Sequence, residues 1–119
     1  MSVYIECGRF EKLVFTVIIE ELRQNEKMRE IYGISKHLCD NQTLNTRCRL
    51  VHVPTIWEPV FKESIRAMIA DNYRLIYGPY IGELTKAALE LENLNLQIML
   101  KKLKDEDIEN AVSNNKQLY

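Results

Sequence analysis

The strongest constraint in this sequence lies toward its C-terminal end, where Tyr80 to Asn110 runs without proline and with only Gly82, near the start, as a poor helix former. A helix of that span is about 45 Å long, at about 1.5 Å per residue. On a helical wheel, Leu84, Ala87, Leu91, Leu94 and Ile98 form one stripe, and Leu89, Leu96, Leu100 and Leu103 form a second on nearly the opposite side. Lys86, Glu90, Asn93, Gln97 and Lys101 separate them along one flank. Leaving one leucine stripe in water forgoes roughly 1.5–3 kcal/mol per side chain, on the order of 6–12 kcal/mol for four, comparable to the whole stability of a small domain. A chain of 119 residues has few elements with which to cover both sides of so long a rod. The reading is that the first stripe packs on the chain's own elements. The second stripe, Leu89, Leu96, Leu100 and Leu103, then meets another chain, as a homodimer or within a larger complex.

The remaining segments read as shorter elements. In residues 2–7, Val3, Ile5 and Cys7 alternate with Tyr4 and Glu6, the period of a strand, and Gly8 closes the run. Residues 47–53 are β-prone and end at Pro54, whose ring biases the preceding residue toward extended backbone. Between them, Phe10, Val14, Val17, Ile18 and Leu22 recur at helical spacing, which predicts a helix from Arg9 to Tyr32 with Gly33 as its left-handed cap. The β-branched cluster from Val14 to Ile19 leaves a buried strand as the alternative for that part. Ile34 to Asn45 reads as a polar loop with one helical turn around Lys36 to Cys39. Thr55 and Glu58 have capping-box spacing and start a helix to Tyr77, with Phe61, Ile65, Met68, Ile69, Asn72, Leu75 and Ile76 on its core face. Gly78 supplies a left-handed stop and Pro79 the first turn of the C-terminal helix. The fold class is therefore mainly α: a small helical bundle with a long C-terminal helix and two short strands. A single helical domain covers residues 1–110, and residues 111–119 form a polar, frayed tail.

Charge narrows the function classes. Sixteen Lys and Arg against seventeen Asp and Glu give a net charge of −1, so bulk charge points neither to nucleic acid nor to an acidic mimic of it. The longest apolar run, Leu13 to Ile19, is interrupted by Thr16 and followed by Glu20 and Glu21, too short to span a bilayer. No membrane partner is expected, and with no targeting signal in view the expected location is cytoplasmic or nuclear. Three cysteines are too few for a disulfide scaffold and fit a reducing compartment.

Four groups of residues are candidate sites. His37, Cys39, Cys48 and His52 supply a Cys2His2 ligand set for zinc. In an extended segment, however, Cys48 and His52 stand about 13 Å apart, too far for one tetrahedral ion, so the expectation is no metal or cofactor, with zinc as the alternative. Lys62, Arg66, Tyr73 and Tyr77 line the face of the Thr55 helix opposite its core, with Arg74 adjacent, and Lys36, Arg47 and Arg49 precede them. Such a mixture could pair phosphates and stack bases, but near-zero net charge favours a solvated face paired with Glu63 and Asp71. Catalytic motifs are missing from the sequence: no strand-turn-helix serine elbow, no phosphate-cradling glycine loop and no paired zinc-binding histidines on a helix. Cys39 beside His37 is the one nucleophile and base in proximity, and residues two apart do not face each other on a helix. Trp57, Phe61, Tyr77 and Tyr80 concentrate aromatic area near the helix ends, either as partner anchors or as part of the core.

The sequence thus predicts a non-enzymatic interaction protein that assembles with itself or with another protein through its C-terminal helix. The alternative is a small nucleic-acid-binding accessory protein that uses the basic and aromatic helix face.

Overall fold

A computed structural model describes the backbone of residues 2–45 and 47–117 and the side chains of residues 4–45 and 47–103. The chain is mainly α, with five α-helices, one 3-10 turn and a two-stranded antiparallel sheet among the described residues. It divides into two compact units, Met1–Phe61 and Lys62–Tyr119.

In the first unit, β1 (Ser2–Glu6) pairs antiparallel with β2 (Leu50–Pro54) in the register Val3↔Val53, Tyr4↔His52, Ile5↔Val51. Both strands lie in the predicted segments, β1 where the alternation placed it and β2 within the β-prone stretch before Pro54, starting three residues later than position 47. Period two sends Ile5, Val51 and Val53 into the core and leaves Tyr4, Leu50 and His52 in water, where the Tyr4 and His52 rings lie 5.3 Å apart. The Cys7 N–H donates to the Arg49 carbonyl at 2.6 Å and prolongs the pairing toward the next element.

α1 (Arg9–Gln24) follows, and its β-branched stretch is helical. Val14, Phe15, Ile18, Ile19 and Leu22 are buried, a stripe of adjacent positions repeating every four residues, while Val17 is about half exposed and Phe10 is only partly covered. The predicted helix to Tyr32 is in fact broken at Asn25, and α2 (Glu26–Tyr32) begins beyond it. No proline or glycine marks the break. Asn25 sustains it from both sides: its N–H donates to the Glu21 carbonyl at 3.0 Å, and its side-chain oxygen accepts from the Met28 N–H at 3.0 Å. The Arg29 guanidinium then donates to the carbonyls of Leu22 and Arg23, both at 2.8 Å, satisfying acceptors that a continuous helix would have satisfied itself. Gly33 ends α2 with φ of 67°, the left-handed conformation expected of it, and the Ile34 N–H reaches back to the Arg29 carbonyl at 2.9 Å.

α3 (Lys36–Asn41) fulfils the expected helical turn and extends it, with the Ser35 hydroxyl accepting from the Leu38 N–H. A 3-10 turn (Thr55–Trp57) leads from β2 into α4 (Glu58–Ile76). Trp57 and Phe61 are buried, their rings 5.9 Å apart, and Phe61 stacks on Phe15 at 4.6 Å and 21°. This aromatic cluster joins α1 to the first turn of α4 within the unit.

The second unit contains the rest of α4 and α5 (Glu83–Gln117). α5 starts at Glu83, not at Pro79. Gly78 is not left-handed either: among the described residues Gly33 alone has positive φ. What Gly78 provides is room, since a Cβ there would stand 3.2 Å from the carbonyl oxygens of Arg74 and Leu75. On the predicted core face of α4, Ile65 and Ile76 are buried and Met68, Ile69 and Asn72 partly so, whereas Leu75 is 56% exposed. Asn93, one of the polar residues that separate the two stripes on the wheel, is 3% exposed. It accepts from the Asn72 amide at 2.9 Å and donates to the Ile69 carbonyl at 3.4 Å, so a satisfied polar pair fastens α5 to α4. The frayed tail expected over 111–119 lies outside the residues whose side chains are described.

The Gly33 cap gives a direct test. Gly33→Ala is expected to cost about 1 kcal/mol by urea denaturation, because a Cβ disfavours the left-handed conformation, while Gly33→Asn loses less.

Candidate functional site

Of the candidate surfaces, the α5 stripes are resolved most sharply. Leu96 and Leu103 are buried, at 1% and 2% exposure, and Leu89 and Leu100 are partly covered. The stripe predicted to meet a partner is thus the one that the chain itself covers. The opposite stripe is the one in water: Leu84 is 89% exposed, Leu91 60%, Leu94 54% and Ile98 46%. The correction has a plain cause. Periodicity shows that two stripes exist, but which of them faces the protein depends on how α5 is rotated about its axis. That rotation is fixed by contacts the wheel does not contain: Asn93 on Asn72 and Ile69, and Gln97 donating to the Tyr73 hydroxyl at 3.1 Å. The exposed stripe repeats at alternating spacings of three and four residues from Leu84 through Ala87, Leu91 and Leu94 to Ile98, the pattern of a helix-helix seam.

The basic and aromatic face of α4 is largely neutralised from within. Arg66 bonds the Glu63 carboxylate at 2.9 Å and Arg74 bonds Asp71 at 3.3 Å, both one turn back on the same helix. Tyr73 and Tyr77 stack on each other, 6.0 Å apart at 17°, and the Tyr73 hydroxyl is engaged by Gln97. Lys62 is partly covered and has a partner of its own. The aromatic anchors split in the same way: Trp57 and Phe61 belong to the core, while Tyr77 and Tyr80 are 81% and 99% exposed. Tyr80 borders an apolar hollow of about 380 Å³ between the end of α4 and the start of α5, with Leu75, Pro79, Ile81 and Leu89.

The four zinc candidates do not converge. His37 lies exposed on α3 with the Asn41 amide 2.9 Å from its Nε2, Cys39 is buried on the same helix, Cys48 is exposed in the loop before β2, and His52 is exposed on β2 beside Tyr4. Among the described residues no group of three or more His, Cys, Asp or Glu side chains could hold a metal ion.

Nor does Cys39 have the setting of a nucleophile. It is fully buried, and burial pushes its thiol above the ordinary value of 9.0; Asp40 adds to the rise, while Arg29 and Arg23 oppose it without prevailing. Arg23 is committed elsewhere, donating to the carbonyls of Cys39 and Gln42 at 2.9 Å each and pairing with Glu20, so it clasps both ends of α3's last turn to α1.

One surface was not identified from the sequence. A cavity of about 810 Å³ in the first unit is lined by Cys7, Gly8, Arg9, Lys12, Leu13, Thr16, Leu44, Arg47 and Arg49. In sequence Arg47 and Arg49 stand out only as residues that precede the basic face of α4. Arg9 and Lys12, one turn apart at the start of α1, carry no sequence signal that ties them to residues some forty positions on.

No protein-family model matches this chain, and no curated protein and no solved structure matches it. No helix among the described residues is long and apolar enough to cross a membrane.

Thiol chemistry tests the burial pattern. In the native protein Cys48 is expected to react fast with a chromogenic disulfide reagent, and Cys7 and Cys39 only on unfolding, so Cys48→Ser removes the fast phase. Because folding raises the Cys39 pKa, the stability tied to that protonated thiol is complete below 9.0 and is lost as pH climbs through the higher folded-state value. A urea midpoint that falls at strongly alkaline pH, with a smaller fall in Cys39→Ala, is the expected result.

Proposed function

We propose that this protein is a non-enzymatic assembly protein that associates with a second copy of itself through the exposed stripe of α5. The single observation that carries this reading is the exposure of Leu84, Leu91, Leu94 and Ile98 along one flank of one helix. Scaled by their exposure, these four side chains forgo about 4–7 kcal/mol by remaining in water. A second helix laid along the seam recovers much of that. The positions beside the seam are Glu83, Glu90 and Gln97 on one side and Ala88, Asn95 and Lys102 on the other, so a parallel second copy sets Glu83 against Ala88, Glu90 against Asn95 and Gln97 against Lys102, with no like charges opposed. The buried, high-pKa thiol of Cys39 supports the non-enzymatic part of the reading.

Nothing in the arrangement favours the nucleic-acid alternative at Lys62, Arg66, Tyr73, Arg74 and Tyr77, because Arg66 and Arg74 already spend their charge on Glu63 and Asp71.

Sedimentation equilibrium over a wide concentration range tests the assembly. The expected outcome is a reversible dimer that Leu91→Glu with Leu94→Glu converts to a folded monomer. Leu96→Ala is expected instead to cost about 2–5 kcal/mol of stability, since it opens a cavity in the protomer. A wild-type chain that stays monomeric at every concentration overturns the self-association reading.

A further inference from the structure

The seven arginines of this chain sort into two groups. Arg23, Arg29, Arg66 and Arg74 all donate to a carbonyl or a carboxylate. The guanidinium groups of Arg9, Arg47 and Arg49 have no hydrogen-bond or ion-pair partner among the described residues, and these three line the same cavity of about 810 Å³. Lys12, which has a partner of its own, is a fourth cation on its wall, and the described lining residues include no Asp or Glu, the Glu11 carboxylate standing beside Gly8 at the rim. In a protein with one more acid than base overall, three arginines without a partner among the described residues around a single concavity are a local excess of the sign that attracts anions.

The framework that gathers them is built of regular elements. Arg9 opens α1 and Lys12 follows one turn later, its N–H donating to the Gly8 carbonyl at 3.2 Å. Arg47 and Arg49 come from the segment that leads into β2, and the 2.6 Å bond from the Cys7 N–H to the Arg49 carbonyl holds that segment beside the start of α1. The rest of the wall is Leu13, Leu44 and Thr16. The volume exceeds what a bare phosphate fills and falls in the range of small-molecule sites, roughly 300–1,000 Å³.

We propose that this cavity binds an organic phosphate, with the phosphoryl group held by Arg9, Arg47 and Arg49 and an apolar or aromatic body seated against Leu13 and Leu44, the chemistry of a nucleotide. Planar guanidinium forks match phosphate oxygens two at a time, and each charge-assisted bond is stronger than a neutral one. An anion there offsets like charge on the wall as well as gaining those bonds. The site lies in the first unit and draws on none of the α5 residues, so it stands or falls independently of self-association.

Calorimetric titration of the full chain tests it with three probes: inorganic pyrophosphate, a nucleoside triphosphate and a short thymidine oligonucleotide, each at low and at raised salt. The nucleoside triphosphate is expected to bind saturably, more tightly than pyrophosphate. Arg47→Ala with Arg49→Ala is expected to weaken it at least about tenfold, and Arg9→Ala, on a different element, to act in the same direction. Arg47→Lys with Arg49→Lys keeps the charge and loses the fork, so it should fall between wild type and the alanine pair. Arg66→Ala with Arg74→Ala should leave binding unchanged. Saturation by the mononucleotide at one per chain assigns the site to a free nucleotide; binding of the oligonucleotide alone, steeply weakened by salt, assigns it to the phosphates of a single strand. Failure of all three probes to bind at low salt overturns the proposal, as does binding that survives both the Arg9 variant and the Arg47 and Arg49 pair. Circular dichroism spectra and urea midpoints of the variants confirm that the comparison is between folded proteins.

Discussion

A straight helix has two sides, and packing against it from one direction covers only one of them. α5 carries leucine on both, so its sequence obliges a choice that no local preference makes. Asn93 settles it. A buried amide must find partners for its donors and its acceptor, and the places where it does so are the Asn72 side chain and the Ile69 carbonyl on α4. Turning the helix to expose Asn93 would break both bonds and carry Leu96 into water with it, while the Leu84 side, opposite on the wheel, swung inward. One polar contact therefore decides which apolar residues stay in water.

Arginine takes a comparable part in the first unit. The chain changes direction at Asn25, Gly33 and Gln42, and backbone carbonyls near two of these bends are taken up by guanidinium groups: Arg29 on Leu22 and Arg23, and Arg23 on Cys39 and Gln42. These donors let short helical pieces turn corners without leaving acceptors unpaired. They also explain why charge that looks available in the sequence is partly consumed by the fold, and why the arginines left over are the informative ones.

Much of the architecture was legible because it rests on local rules. Alternation placed β1, β-propensity ending at a proline placed β2, the αL preference of glycine placed the end of α2, and helical spacing marked α1, α4 and α5. The Asn25 break was not legible, because its cause is a side-chain cap reinforced by an arginine four residues on rather than a proline or glycine. Gly78 was misread because a glycine that makes space looks in sequence like a glycine that takes positive φ. The α5 stripes were seen but assigned in the wrong order, since rotation about the axis depends on tertiary contacts. The basic cavity was missed for a similar reason. Arg9 and Lys12 meet Arg47 and Arg49 only because β1 and β2 pair, and no window along the chain holds all four.

α2 illustrates what an element without a core can mean. None of its residues is buried, and it is retained by the Asn25 cap, the Arg29 donors and the turn at Gly33. Its amide hydrogens should therefore exchange with solvent through a local opening that leaves α1 and the paired strands intact. A protease given a choice of helices in the first unit would find its first foothold there.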